Sequence, residues 1–340
     1  MKKLSIIISN RNDAAMLSIT VNSCIEELRP LGLNNCEIII CDNSDKNIYK
    51  QLKNHLPTKY VEEGIIKILR QDFPCLFSAR ETAAKNASAD YICCVDSHML
   101  IGRNMFVDLY NFMQSKQNDQ TLAFAHAPIR WAHLHESRAV HDRDISHTDL
   151  GEWNKRYFYA RPMSWKGIPW ICRREWFLDK ENGLNGYGAL SEHYISWGGG
   201  DMHIGLKPWL LGFKNWAVPT NPAIHIGPFP HTDNSNGYRY RLYSTSGKYP
   251  HTFGFLVSCY VLGGEKMMSY NLEALKTLFG RYIDFSKWWH KAMDIGANEK
   301  AWLDKRKVIT IEQLRKERPW NLPFLQKTIK NFNQLEALNG

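Results

Sequence analysis

An aspartate and a histidine two residues apart close an apolar run in this 340-residue chain, Tyr91-Ile92-Cys93-Cys94-Val95-Asp96-Ser97-His98. In an extended strand, side chains at i and i+2 leave the same face, so Asp96 and His98 can ligate one cation where the strand stops. A cation held there stabilises negative charge that develops on a phosphate leaving group. On spacing alone a second reading stands beside this one, because aspartate at a strand end before a serine also serves as a helix cap. A third candidate ligand, His225, ends the short apolar run Pro222-Ala223-Ile224-His225-Ile226. Taken alone, a histidine there is more often a satisfied core or turn residue. The run Trp197-Gly198-Gly199-Gly200-Asp201 lets backbone approach a ligand closely and then presents a carboxylate at a helix start. Asp201 is therefore a candidate general base for a hydroxyl, or simply an N-cap.

Positioning such groups requires strands that end at one edge, and the first hundred residues supply them. Apolar runs at 4–9, 37–42, 65–69 and 91–95 alternate with helical patterns at 14–28 and 76–87, the second read as capped by Ser78. That alternation predicts βαβ units around a mainly parallel sheet, whose ligands sit at the carboxyl ends of the strands. Further on, the pattern predicts a helix at 104–117, strands at 122–129 and 168–173, and a helix at 203–211. The His-, Asp- and Arg-rich stretch 132–153 reads as a loop beside the site, residues 228–250 as a flap, and the last ninety residues as helical.

Bulk properties narrow the field. With 44% hydrophobic and 12% aromatic residues the chain buries a sizeable core, which excludes the disordered and fibrous classes. A formal charge of +9 favours an anionic partner, a nucleotide, nucleic acid, glycan or membrane surface, unless it only solvates a basic exterior. The eight cysteines, at 24, 36, 41, 75, 93, 94, 172 and 259, show no CxxC spacing and fit a reducing compartment. No stretch approaches the roughly 20 apolar residues of a membrane span, and the apolar run after Lys2-Lys3 is too short for a signal peptide. A cytoplasmic, soluble protein is the expectation.

Taken in order along the chain, the motifs resemble those of GT-A fold glycosyltransferases, especially the family-two enzymes, the polypeptide N-acetylgalactosaminyltransferases and chondroitin-polymerase-like domains. Ser5-Ile6-Ile7-Ile8-Ser9-Asn10-Arg11-Asn12 resembles their first strand and loop, and Glu37-Ile38-Ile39-Ile40-Cys41-Asp42-Asn43-Ser44 their second. Phe77-Ser78-Ala79-Arg80-Glu81 resembles the helix leading into the metal motif, with Glu81 where asparagine is commoner. Asp96-Ser97-His98 takes the place of DxD in its DxH form, and Gly167 to Arg174 resembles the strand near the acceptor. Trp197 to Asp201 resembles the WGGED or WGGEN pattern, with Gly200 where glutamate is usual, and His225 falls at the downstream metal histidine.

The resemblance covers about residues 3–230. It implies a GT-A, Rossmann-like α/β fold at 1–230 followed by a flap and helical extension at 231–340. It further implies metal-dependent transfer of a sugar from a nucleotide-sugar, a UDP-sugar above all, to an acceptor hydroxyl. In that scheme Asp42 and Arg80 hold the nucleoside, while Asp96, His98 and His225 hold a divalent metal, manganese or magnesium, that grips the diphosphate. Asp201 activates the acceptor, and the residues at 228–250, with Arg239 and Arg241, read either as a flap that closes over the donor or as a plain surface loop. The acceptor is a saccharide, a protein or a hydroxymethylated base in DNA. For DNA, Arg138, Arg143, Lys155, Arg156 and Arg161 interleaved with Trp153, Tyr157, Phe158 and Tyr159 suit phosphate contact and base stacking, but they read also, and more readily, as a packed aromatic loop with solvated charges. The competing class is a non-catalytic nucleotide-sugar or carbohydrate binder on the same fold, for which Gly200 is the strongest feature.

Overall fold

A computed structural model describes residues 2–132, 169–196, 198–226, 253–279 and 285–317. Its strands are β1 (Leu4–Asn10), β2 (Cys36–Asp42), β3 (Ile66–Arg70), β4 (Tyr91–Asp96), β5 (Met99–Leu100), β6 (Leu122–His126), β7 (Ile129–Ala132), β8 (Trp170–Arg173), β9 (Lys214–Ala217) and β10 (Ala223–Ile226). Its helices are α1 (Ala14–Leu28), α2 (Lys46–Leu52), α3 (Thr58–Glu62), α4 (Leu76–Lys85), α5 (Met105–Ser115), α6 (Arg174–Leu178), α7 (Ala189–Glu192), α8 (Gly200–Leu210), α9 (Phe253–Phe279), α10 (Phe285–Arg306) and α11 (Ile311–Glu317).

Ile6, Ile7 and Ile8 are wholly buried, as are Ile38, Ile39 and Ile40, because strands covered on both faces carry continuous apolar runs instead of alternating ones. They lie on β1 and β2 of a seven-stranded sheet of order β3-β2-β1-β4-β8-β6-β9. The pairs β1–β2, β2–β3, β1–β4 and β6–β9 are parallel, and β8 runs antiparallel between β4 and β6. Strand order reverses at β1, where one connection leads to β2 and a later one to β4, so a crevice opens at the carboxyl ends of β1 and β4. Register puts Ser9 beside Asp96 and Asn10 beside Asp42 at that edge.

A second, three-stranded sheet of order β5-β10-β7 stands apart from the first. The predicted strand at 122–129 therefore splits in two. Pro128 lacks the N–H a ladder needs, and around it the chain leaves β6 in the large sheet and enters β7 in the small one. The cap of α4 also differs from expectation: Cys75 Sγ accepts from the Ser78 backbone N–H at 3.3 Å, while the Ser78 hydroxyl donates to Gln71 Oε1 at 3.1 Å.

The C-terminal helices join the same apolar core as the sheet, through Phe253, Leu256, Val257, Ala292, Ile295 and Leu303. Helix α9 seats against the glycine run before α8: the Ser258 hydroxyl donates to the Gly199 carbonyl at 3.2 Å. Gly199 has φ +74°, and a Cβ there would meet the Gly254 carbonyl at 2.6 Å, so this contact requires glycine. All eight cysteines are free and buried. Among the described residues no helix is long and apolar enough to cross a membrane.

Candidate active site

Asp96, His98 and His225 each offer a ligand atom, and those atoms lie within 4.8 Å of one another. His98 Nε2 stands 3.2 Å from His225 Nε2, and His225 Nε2 stands 3.4 Å from Asp96 Oδ2. The two rings meet edge to face, with centroids 4.6 Å apart and planes at 88°. The small sheet makes this meeting: β10 runs antiparallel to β5 with His225 opposite Met99, and the Ile226 N–H donates to the His98 carbonyl at 2.9 Å. These separations suit a shared cation, since ligands at about 2 Å from one ion stand roughly 3 Å from each other. Two imidazoles and a carboxylate form a donor set that divalent transition metals accept.

The two oxygens of Asp96 face different partners. Oδ1 accepts from Arg80 Nη2 at 2.9 Å, leaving Oδ2 on the histidine side. Burial works to raise the Asp96 pKa, yet the hydrogen bond from His225 and the charges of Arg80 and His98 hold it well below the ordinary carboxylate range. Burial pushes His225 below its ordinary value, which favours the neutral imidazole that ligates metals. Arg80 is itself buried. Its burial disfavours the charge, but Tyr187, Cys94, Asp96 and Asp201 together keep it firmly protonated. Arg80 Nη1 donates to the Tyr187 hydroxyl at 2.9 Å, and the Tyr187 backbone N–H donates to Glu81 Oε1 at 2.7 Å. Glu81 therefore braces the turn that brings Tyr187 to Arg80.

The family described as Glycosyl transferase family 2 matches residues 5–170, the span that builds β1 to β4 and the Asp96–His98 motif. That match covers just under half of the chain, and the solved structures similar to it share the GT-A fold. A crystal structure of GalNAc-T7 with UDP, GalNAc and Mn2+ is similar at a TM-score of 0.65 and 18% identity, over 94% of this chain. This chain spans 57% of that one. A crystal structure of S. aureus TarS 1–349 in complex with UDP-GlcNAc is similar at a TM-score of 0.51 and 14% identity, covering 99% of this chain and 91% of that one. Among curated proteins none matches.

The remaining sequence-derived residues differ in where the fold puts them. Asp42 is wholly buried, and its carboxylate accepts from Asn10 Nδ2 at 2.6 Å, Ser44 N at 3.0 Å, Ser44 Oγ at 2.8 Å and Arg70 Nη1 at 3.2 Å. Its oxygens thus tie β1, β2 and β3 together at their carboxyl ends. Arg80 reaches Asp96 directly. Asp201 lies in the first turn of α8, whose N-cap is Gly199, and its charge bears on Arg80, Tyr187 and Cys94, which places it on the Arg80 side of the site. Arg239, Arg241, the flap at 228–250 and the basic aromatic cluster at 138–161 lie outside the described residues.

Two site residues escaped the sequence reading. Tyr187 carries no signal beyond its glycine neighbours, Gly186 and Gly188, both at positive φ. Asp13, at the end of the polar run Asn10-Arg11-Asn12-Asp13, has its Oδ2 3.0 Å from His98 Nδ1. The departure at Gly200 has a steric counterpart, because a Cβ there would overlap the Phe77 ring. Gly200→Ala is expected to destabilise the protein by about 1–3 kcal/mol through overpacking, and adding Phe77→Leu should recover part of it. Chemical denaturation of the two variants beside the wild type checks this; equal stability of Gly200→Ala and wild type would contradict it.

Proposed function

We propose that this glycosyltransferase moves a hexosyl unit from a UDP-sugar to an acceptor hydroxyl, with a divalent ion, manganese by preference and magnesium otherwise, held by Asp96, His98 and His225. The convergence of those three side chains at the crevice beside β1 and β4 carries the reading. It is supported by GalNAc-T7, which was crystallised with UDP and Mn2+, and by TarS, crystallised with UDP-GlcNAc. When bound, the ion offsets the charge that develops on the departing diphosphate.

The chain's own groups do the rest. Arg80 engages one oxygen of Asp96 and so keeps the other turned to the imidazoles. Asp42 acts through the loops it ties together, which shape the nucleoside side of the crevice. Arg239 and Arg241 belong to the donor-binding set, closing over the donor to exclude water. Asp201 takes the proton of the acceptor hydroxyl; the acceptor oxygen forms a bond to the anomeric carbon as the bond to the diphosphate oxygen breaks, its electron pair leaving with UDP. A single in-line displacement of this kind inverts the anomeric centre, whereas the resemblance to N-acetylgalactosaminyltransferases points to retention with the leaving phosphate assisting, so the configuration of the product decides whether Asp201 is the base. Residues 1–230 form the transferase proper, and 231–340 the flap and helical extension.

A panel of UDP-sugars, offered with glycans and with hydroxymethylated DNA as alternative acceptors, tests the reading through UDP release. Turnover is expected to vanish in EDTA and return with Mn2+; full turnover in chelator would remove the metal from the reaction. Asp201→Asn is expected to keep donor binding while transfer falls about 10²–10⁴-fold, the usual contribution of a positioned base. A wild type that binds donor but turns over none of it with any acceptor would instead identify a binding protein.

A further inference from the structure

We infer that Asp13 is a positioning residue for His98: its carboxylate fixes the imidazole tautomer that directs Nε2 toward Asp96 and His225. The metal-binding consequence rests on the reading proposed above. Asp13 Oδ2 lies 3.0 Å from His98 Nδ1 and 3.4 Å from the Ser97 hydroxyl. An ionised carboxylate has no proton to give, so Nδ1 carries the hydrogen and Nε2 carries the lone pair. Nε2 is the nitrogen that stands 3.2 Å from His225 Nε2. A carboxylate behind an imidazole raises its basicity and fixes its ring as a metal ligand, a contribution often as large as about 10–100-fold in affinity.

A second observation comes from the helix that Asp13 precedes. Asp13 occupies the N-cap position of α1 but makes no side-chain capping hydrogen bond, although aspartate there ordinarily accepts from an N–H of the first turn. The side chain has exchanged a helix cap for His98. Its direction is imposed by Asn12, a non-glycine residue at φ +54°. Three hydrogen bonds hold that conformation: Asn12 N donates to Ser44 Oγ at 2.7 Å, Asn12 Nδ2 donates to Asp45 Oδ2 at 3.0 Å, and Asn12 Oδ1 accepts from Asp45 N at 2.9 Å. Ser44 is in turn held by Asp42. A continuous clamp therefore runs from the end of β2 through Asn12 to Asp13, and unfavourable backbone geometry fixed by surrounding contacts is characteristic of functional sites.

Two measurements on the full chain separate this inference from the metal reading. In the first, the metal-free protein with 15N-labelled histidine is observed by NMR: His98 is expected as the Nδ1–H tautomer in the wild type and to shift toward Nε2–H in Asp13→Ala. In the second, Mn2+ is titrated into the wild type, Asp13→Ala, Asp13→Asn, His98→Ala and Asp13→Ala/His98→Ala. Asp13→Ala should weaken Mn2+ binding about 10–100-fold. Asp13→Asn, which keeps an acceptor oxygen and capping ability, should lose less, and Asp13→Ala should add nothing in the His98→Ala background. An unchanged tautomer overturns the inference, as does an equal loss in both backgrounds, which would mean that Asp13 acts through the fold. Absence of Mn2+ binding by a wild type with the Nδ1–H tautomer would sink the metal reading and leave the positioning intact.

Discussion

Asparagine in place of Asp96 is expected to lower donor turnover by about 10³-fold with Mn2+ present. The estimate comes from the several kcal/mol that a bound ion contributes to transition-state charge stabilisation, at about 1.36 kcal/mol per decade of rate. Geometry makes the substitution severe. Because Arg80 donates to Oδ1, the amide oxygen of the variant is drawn to the guanidinium and the amide N–H groups are turned toward His225. A donor then faces the place where the proposed cation would sit. The fold is expected to survive, since Tyr187 keeps its hydrogen bond to Arg80 and the charge of Asp201 still bears on it. Initial rates of UDP release, read beside a melting curve, check both halves. Turnover within tenfold of wild type would show that Asp96 does not hold the ion.

The largest expected effect on stability lies away from the reacting groups. Lys207 and His203 are wholly buried on α8, and Glu299 reaches them from α10. Glu299 Oε1 accepts from Lys207 Nζ at 2.8 Å and from His203 Nε2 at 2.9 Å, while Oε2 accepts from the Ala189 N–H at 2.8 Å. Lys207 also donates to the Gly186 carbonyl at 2.8 Å. Glu299→Ala strands a buried ammonium and is expected to cost about 3–5 kcal/mol, a drop of roughly 10 °C in melting temperature. Replacing both partners, Lys207→Met with Glu299→Leu, should return most of that loss. Activity is expected to fall with Glu299→Ala as well, because the contacts to Gly186 and Ala189 flank Tyr187 and fix the turn that meets Arg80.

Acid sensitivity follows from the same cluster. Burial raises the Glu299 pKa, but His203 and Lys207 hold it down at about 2, against an ordinary 4.5. A depressed carboxylate contributes its full stabilisation above the unfolded value, so this contribution is present above pH 4.5 and is lost as pH falls toward 2. Burial also keeps His203 below its ordinary 6.5, so proton uptake by the unfolded chain adds a loss that begins below pH 6.5. Melting temperatures from pH 7 down to 3 should decline for the wild type and decline less steeply below 4.5 for Glu299→Ala. Parallel curves in that range would mean that Glu299 is not held ionised by its neighbours.

Legibility in the sequence followed the range of the interactions involved. The apolar runs at 4–9, 37–42 and 91–95 became β1, β2 and β4 with ends within a residue or so of the pattern, because burial on both faces leaves a local signature that needs no partner to be read. The split of 122–129 was harder. An apolar run with Pro128 near its end does not say which sheet each half joins.

Side-chain direction is where local pattern stops informing. That Asp42 sits at a strand end follows from the sequence; that all its oxygen contacts turn inward, to Asn10, Ser44 and Arg70, depends on a parallel register that only packing sets. Arg80 lies on a helix leading to the motif, yet its hydrogen bond to Asp96 depends on how α4 lies against β4. Asp13 looks like a helix cap from its place before α1, and the left-handed backbone at Asn12, clamped by a loop 33 residues away, diverts it. The sequence by itself therefore determined the α/β class, the strand ends and the residue types able to bind a cation, since these arise from apolar periodicity and donor chemistry. Only the tertiary structure brought His225 across 127 residues to His98 and chose which nitrogen and which oxygen face the site, because those follow from strand register and the contacts of distant loops.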